Sequence, residues 1–145
     1  MVTTVSQISV FVENKPGRFA LLTGFLSDNN INLRAFSVAE TRDFGVVRLI
    51  VDDPYKAARV LKEAQYIVSV TPVIAVEIPD EPGGLLNVLN ILGSEDVNVA
   101  YMYALLSRSK PSAYVIIRVD DNEKVTEILS RHNIRQLDQD ELVKL

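Results

Sequence analysis

Two stretches decide the fold: Asn14-Lys15-Pro16-Gly17-Arg18-Phe19, and Asp80-Glu81-Pro82-Gly83-Gly84-Leu85 about 66 residues further on. Each follows an alternating run and precedes apolar residues at helical spacing. The same offset pairs Leu22 with Val88, Leu26 with Leu92, and Ile31-Asn32-Leu33 with Val97-Asn98-Val99. A period this long is one small domain rather than a solenoid unit. The chain is therefore expected to hold two like domains, residues 1–71 and 72–145.

Working outward from the first stretch, Ile8, Val10 and Val12 alternate with Ser9, Phe11 and Glu13, the period of a half-buried strand. Pro16 suits a first helical turn because its missing N–H has no partner there anyway. Phe19, Leu22, Phe25 and Leu26 predict a helix that stops at Ser27-Asp28-Asn29-Asn30. Strands are predicted from Ile31 to Glu40, from Gly45 to Val51 and from Ile67 to Val70. Between the last two, Asp53-Pro54 opens a helix with Ala57, Val60, Leu61 and Ala64 inward. The order is βαββαβ.

The second copy repeats it. A strand covers Val73 to Ile78, and a helix covers Gly84 to Gly93 with Leu85, Val88, Leu89 and Leu92 inward. A hairpin joins Val97–Leu106 to Ala113–Val119 across Ser107-Arg108-Ser109-Lys110-Pro111, where Arg108 and Lys110 read as a solvated turn. A helix starts at Asp121, a strand covers Ile134 to Leu137, and a short helix covers Asp138 to Lys144. Only Thr71-Pro72 separates the copies. The fold class is α+β: two ferredoxin-like units in tandem, with antiparallel sheets and helices on one face. The helix-free face carries Phe11, Val46, Arg48 and Ile50 in one copy and Tyr114, Ile116 and Arg118 in the other. So apolar a face predicts packing against a second copy, as a homodimer.

Composition narrows the function. Net charge is −4 with a pI near 5.0, so no basic field recruits nucleic acid or anionic membrane. The absence of cysteine excludes disulfides and thiolate metal sites. The N-terminus lacks signal-peptide features, and no apolar run approaches the roughly 20 residues that span a bilayer. A soluble, cytoplasmic protein is expected. His132 is the sole histidine and falls near a helix C-terminus, where a cation favours the dipole. Asp52-Asp53 and Asp120-Asp121 read as helix caps, with a divalent ion as the weaker alternative. No enzyme activity, metal or cofactor is expected.

The Pro-Gly junctions have two readings. One is turn chemistry alone. In the other, open backbone N–H groups at the helix start hold a carboxylate, and glycine allows close approach. Asn32 and Asn98, each at the start of a second strand, offer donor and acceptor for an amino acid headgroup, or simply a backbone bond. Val12 to Gly17, the helix after it, Ile31-Asn32-Leu33 and the hairpin beyond resemble an ACT domain. Val76-Glu77-Ile78-Pro79-Asp80-Glu81-Pro82-Gly83 resembles the same opening more closely.

The resemblance, over nearly the whole chain, implies a sensor that binds a free amino acid where two units sit side by side. It places the ligand near the strand–helix loop of one unit and the second-strand edge of its neighbour, which points to Asn14 to Phe19 with Asn32, and to Asp80 to Leu85 with Asn98. The ligand's side chain would lie near Phe19, Leu85 and Tyr101, and an effector would be regulated in trans. Lys15 and Arg18 make the first loop basic, whereas Asp80 and Glu81 make the second acidic, so unequal occupancy is expected.

The alternatives are an RNA-binding module and a ligand-free assembly protein. Val10-Phe11-Val12-Glu13-Asn14 and Arg42-Asp43-Phe44-Gly45-Val46-Val47 resemble the two motifs of an RNA-recognition domain. Val46 and Leu49 stand where base-stacking aromatics belong, which weighs against it.

Overall fold

The computed structural model describes residues 2–107 and 111–145. The turn expected at Arg108-Ser109-Lys110 lies outside the described residues. Two compact units divide the chain, Ser6–Thr71 and Pro72–Leu145, the latter also taking in the residues up to Val5. The elements run β1 (Val5–Glu13), α1 (Arg18–Asp28), β2 (Leu33–Glu40), β3 (Phe44–Val51), α2 (Pro54–Glu63), β4 (Ile67–Pro79), α3 (Gly84–Ser94), β5 (Tyr101–Ala104), β6 (Ser112–Arg118), α4 (Asn122–Arg131), β7 (Gln136–Leu137) and α5 (Gln139–Val143). This is the α+β, ferredoxin-like pattern twice over, with antiparallel pairing in both units.

In the first unit β3 lies between β1 and β2, with Val10 opposite Val47 and Val47 opposite Val38. In the second the order is β7-β4-β6-β5, with Ala75 opposite both Ile116 and Leu137. Alternate residues of these strands meet the helices. Ile8, Val10, Val12, Val47 and Leu49 pack with Leu22 and Leu26 of α1 and Ala57 and Leu61 of α2. Ile74, Val76, Ile78 and Ile117 pack likewise with Val88, Leu92, Val125 and Leu129.

All four long helices end the same way, which sets where the following strands begin. After α1, Asn30 takes φ 60° and its N–H meets Ser27 O, while Ile31 N–H reaches back to Leu26 O. Gln65, Asp96 and Asn133 do the same after α2, α3 and α4, with Tyr66, Val97 and Ile134 bonding to Leu61, Leu92 and Leu129. This is the Schellman closure, whose apolar contact seals the last turn. It uses up Ile31, Val97 and Ile134, so β2, β5 and β7 start later than their β-branched residues predict.

Other expectations are corrected. Thr71-Pro72 is no linker but the middle of β4, a 13-residue strand. Proline biases the residue before it toward extended backbone, so Thr71-Pro72 continues the strand. Ala64 is the C-cap of α2 and is exposed, not inward. Pro16 precedes the helix instead of entering its first turn. On the helix-free face, Ile50 and Ile116 are wholly enclosed and Tyr114 nearly so. Phe11 stays 43% exposed. Asp53 and Asp121 accept the N–H of Lys56 and Lys124 as helix caps. Asp52, beside Asp53, instead lies 3.5 Å from Arg34. His132 is the C-cap of α4.

Candidate functional site

The two Pro-Gly loops are built alike. Lys15-Pro16-Gly17-Arg18 closes with Arg18 N–H on Lys15 O, and Gly17 has φ 82° and ψ −6°. Glu81-Pro82-Gly83-Gly84 closes with Gly84 N–H on Glu81 O, and Gly83 has φ 87° and ψ −5°. These are type II turns, which want proline second and glycine third. A Cβ at Gly17 or Gly83 would meet nothing within 4 Å, so the positive φ, not space, requires glycine. Gly84 differs: a Cβ there would collide with the carbonyl oxygen of Pro79. Each loop is tied to its own unit's hairpin, Asn14 N–H to Asp43 O at 3.0 Å and Asp80 N–H to Pro111 O at 2.8 Å.

The N–H groups of Arg18 and Gly84, expected to meet a carboxylate, are already given to their turns. What stays open is the first helical turn beyond. Gly17 and Gly83 are the N-caps and bring no side chain to cap α1 or α3. Helix geometry leaves the N–H groups of Phe19 and Ala20, and of Leu85 and Leu86, without an intrahelical acceptor.

Beside each loop lies a cleft closed by the helix-to-strand junction of the same unit. The first, about 280 Å³, is lined by Phe11, Glu13, Arg18, Leu21, Phe44, Gln65, Tyr66 and Ile67, among others. The second, about 500 Å³, includes Glu77, Asp80, Glu81, Gly84, Asn87, His132, Asn133 and Arg135. The contributions of Gln65–Ile67 and His132–Arg135 escaped the sequence reading. The signal was present: these residues match at an offset of 68, not 66, because the second hairpin is two residues longer.

The electrostatics differ between copies. Glu13 takes Lys15 Nζ at 2.9 Å, with Arg18 further off at 3.9 Å. The bond from Lys15, then the charges of Lys15 and Arg18, hold the Glu13 carboxyl below its usual range. In the second unit Glu77 accepts from Tyr114 Oη at 3.0 Å and from Arg135 at 3.4 Å. Arg135 also holds Glu141 at 2.7 Å. That bond lowers the Glu141 carboxyl and raises the Arg135 guanidinium.

Asn32 and Asn98 are both exposed and stand at the opposite end of α1 and α3 from the loops. Eleven helical residues rise about 16 Å, so no unit brings its own loop and asparagine together. Asn32 instead borders a cleft of about 390 Å³ with Thr23, Ser27 and Asn30. Tyr101 stacks on Tyr103, ring centroids 6.4 Å apart, on the strand face away from α3 and α4. Phe19 rests on Gly45, whose added Cβ would approach its ring to 3.3 Å.

Two ferredoxin-like units with matching glycine-capped loops define a tandem of one repeated α+β module. The chain belongs to the ACT domain pair family, whose sequence model matches residues 3–145. Comparison with curated protein sequences gives no match. Among solved structures, a protein from Bacteroides thetaiotaomicron is 38% identical over 99% of both chains, with a TM-score of 0.91. The regulatory subunit of aspartate kinase from Thermus thermophilus, in a ligand-free form, is 17% identical over 90% of this chain and 93% of that one, with a TM-score of 0.63. Aspartokinase alpha and beta subunits are 19% identical over 90% and 97%, with a TM-score of 0.55. At such identities the last two share the fold. No helix among the described residues is long and apolar enough to cross a membrane.

Proposed function

We propose that this chain is a cytoplasmic small-molecule sensor that binds a free amino acid at its Pro-Gly loops and regulates an effector in trans. The observation that carries the reading is the pair of helix starts with glycine N-caps and no side-chain cap. There the N–H groups of Phe19 and Ala20, or Leu85 and Leu86, suit an α-carboxylate at the positive end of a helix dipole. The ACT domain pair family supports the same reading. So does the fold shared with an aspartate kinase regulatory subunit, by analogy with a subunit that acts on an enzyme.

Asn32 and Asn98 stand too far from their own loops to share a ligand with them. Their role in this proposal is to complete the loop of a neighbouring unit, which a homodimer can supply. Phe11, still exposed on the helix-free face, is a contact for that second copy. Phe11→Asp should then halve the particle mass in light scattering, and a wild-type mass near the chain's 16.1 kDa at high concentration refutes the dimer.

A thermal-shift screen against the standard amino acids tests the sensor reading. A ligand at about 100 times its dissociation constant adds roughly 2.7 kcal/mol. For a protein this small that raises the midpoint by several degrees. No shift with any amino acid would reject the reading in favour of a ligand-free assembly role.

A further inference from the structure

The two clefts stand on matching elements, but their walls have diverged. Phe11, Leu21 and Ile67 in the first occupy the places of Glu77, Asn87 and Arg135 in the second. Three apolar side chains thus face three polar or charged counterparts. In the second cleft Glu77 and Arg135 are tied into the Tyr114–Glu77–Arg135–Glu141 chain. In the first, large apolar side chains remain open: Phe44 is 50% exposed, Leu21 57% and Ile67 68%. Apolar surface gathered around a concavity marks a binding site more than scattered exposure does.

The rim of the first cleft carries one cation and one anion. Glu13 is engaged by Lys15, whereas the Arg18 guanidinium, 3.9 Å from Glu13, is beyond hydrogen-bond length and keeps its donors for another acceptor. Gly84 replaces that arginine in the second copy, where the carbonyl of Pro79 leaves no room for a side chain. The fork of Arg18 matches a carboxylate, and Glu13 matches an ammonium. At about 280 Å³ the cleft lies near the lower end of small-molecule sites, a size for one amino acid.

We infer that the first-unit cleft selects an α-amino acid with a large apolar side chain. In this unit its carboxylate lies on Arg18 in place of the helix-start N–H groups, its ammonium on Glu13, and its side chain against Leu21, Phe44 and Tyr66. This rests on the amino-acid reading above and narrows it to one side-chain class and one unit. A polar side chain would lose its hydration against these walls without gaining a partner.

Calorimetry on the full chain with L-phenylalanine, L-leucine, L-aspartate, L-lysine and leucinamide tests it. Phenylalanine or leucine should bind with one site per chain, and aspartate and lysine at least about 10-fold more weakly. Arg18→Gln should weaken binding roughly 10- to 100-fold and remove the preference for leucine over leucinamide. Phe44→Asp should weaken it too, while Glu127→Gln, at an exposed position of α4 away from both clefts, leaves it unchanged. Arg18 and Phe44 are both partly exposed, so the fold tolerates these changes. If an amino acid binds and neither variant affects it, the ligand lies elsewhere and this inference fails while the sensor reading stands. If none of the standard amino acids binds, both fail.

Discussion

Among the described residues six hold positive backbone angles, and they divide by chemistry. Gly17 and Gly83 sit in type II turns, while Asn30, Gln65, Asp96 and Asn133 close helices. The left-handed region costs a residue with a Cβ about 1–2 kcal/mol, least for Asn and Asp, which bond locally. Gln65 lacks that compensation and is the most strained of the four closures. Gln65→Gly should therefore raise stability by about 1 kcal/mol, with Asn133→Gly gaining less; equal changes in denaturant unfolding would contradict the ranking. Gly83→Ala should lower stability by about 1–2 kcal/mol although its methyl meets empty space. A neutral result would mean that the turn relaxes. Gly83→Val, the obvious probe of ligand approach, confounds binding with the larger strain of a β-branched residue at φ 87°.

At the scale of elements, caps and charge pairs decide local stability. Asp53 and Asp121 perform the same task in the two copies, and Asp53→Ala and Asp121→Ala should each cost about 1 kcal/mol. Asp120→Ala, one residue before Asp121 and exposed, removes no cap and serves as the control. The short α5 depends on a capping box from Asp138 to Glu141 and on the Arg135–Glu141 bond. Because the folded-state carboxyl of Glu141 is depressed, its contribution is present above the unfolded value, near 4.5, and is lost as pH falls below that. Chemical shifts of α5 should move toward unfolded values in that acidic range, and Glu141→Gln should reproduce the change at pH 7. An unchanged α5 in the glutamine variant would show that its buried Leu142 alone holds it.

For the whole molecule, the sheet faces matter most. Ile116 is fully enclosed, so Ile116→Ala should cost about 2–5 kcal/mol in unfolding experiments, whereas Phe11→Ala, at a half-exposed site, should cost far less. Equal costs would mean that a second copy covers Phe11 as completely. The tandem organisation was written in the sequence by local chemistry. Pro-Gly after an alternating run, apolar residues three and four apart, and aspartate before each later helix all act within a few residues. Those rules made Gly17, Gly83, Asp53 and Asp121 legible with their roles. The repeat itself supplied the family resemblance.

What lay beyond local chemistry needed the tertiary structure. Thr71-Pro72 reads as a break until β6 and β7 flank the later half of β4, where Val73 to Val76 are buried on both faces. Likewise, Ile31 and Val97 have strand propensity but are taken by the closures of α1 and α3. The clefts join residues some 50 positions apart in sequence, Arg18 with Tyr66 and Gly84 with Ile134. The sequence by itself determined two ferredoxin-like units and where their turns and caps fall, because those depend on near neighbours. Which side chains share a cleft, and which apolar faces are already covered, only the folded chain decided, because those depend on residues distant in sequence.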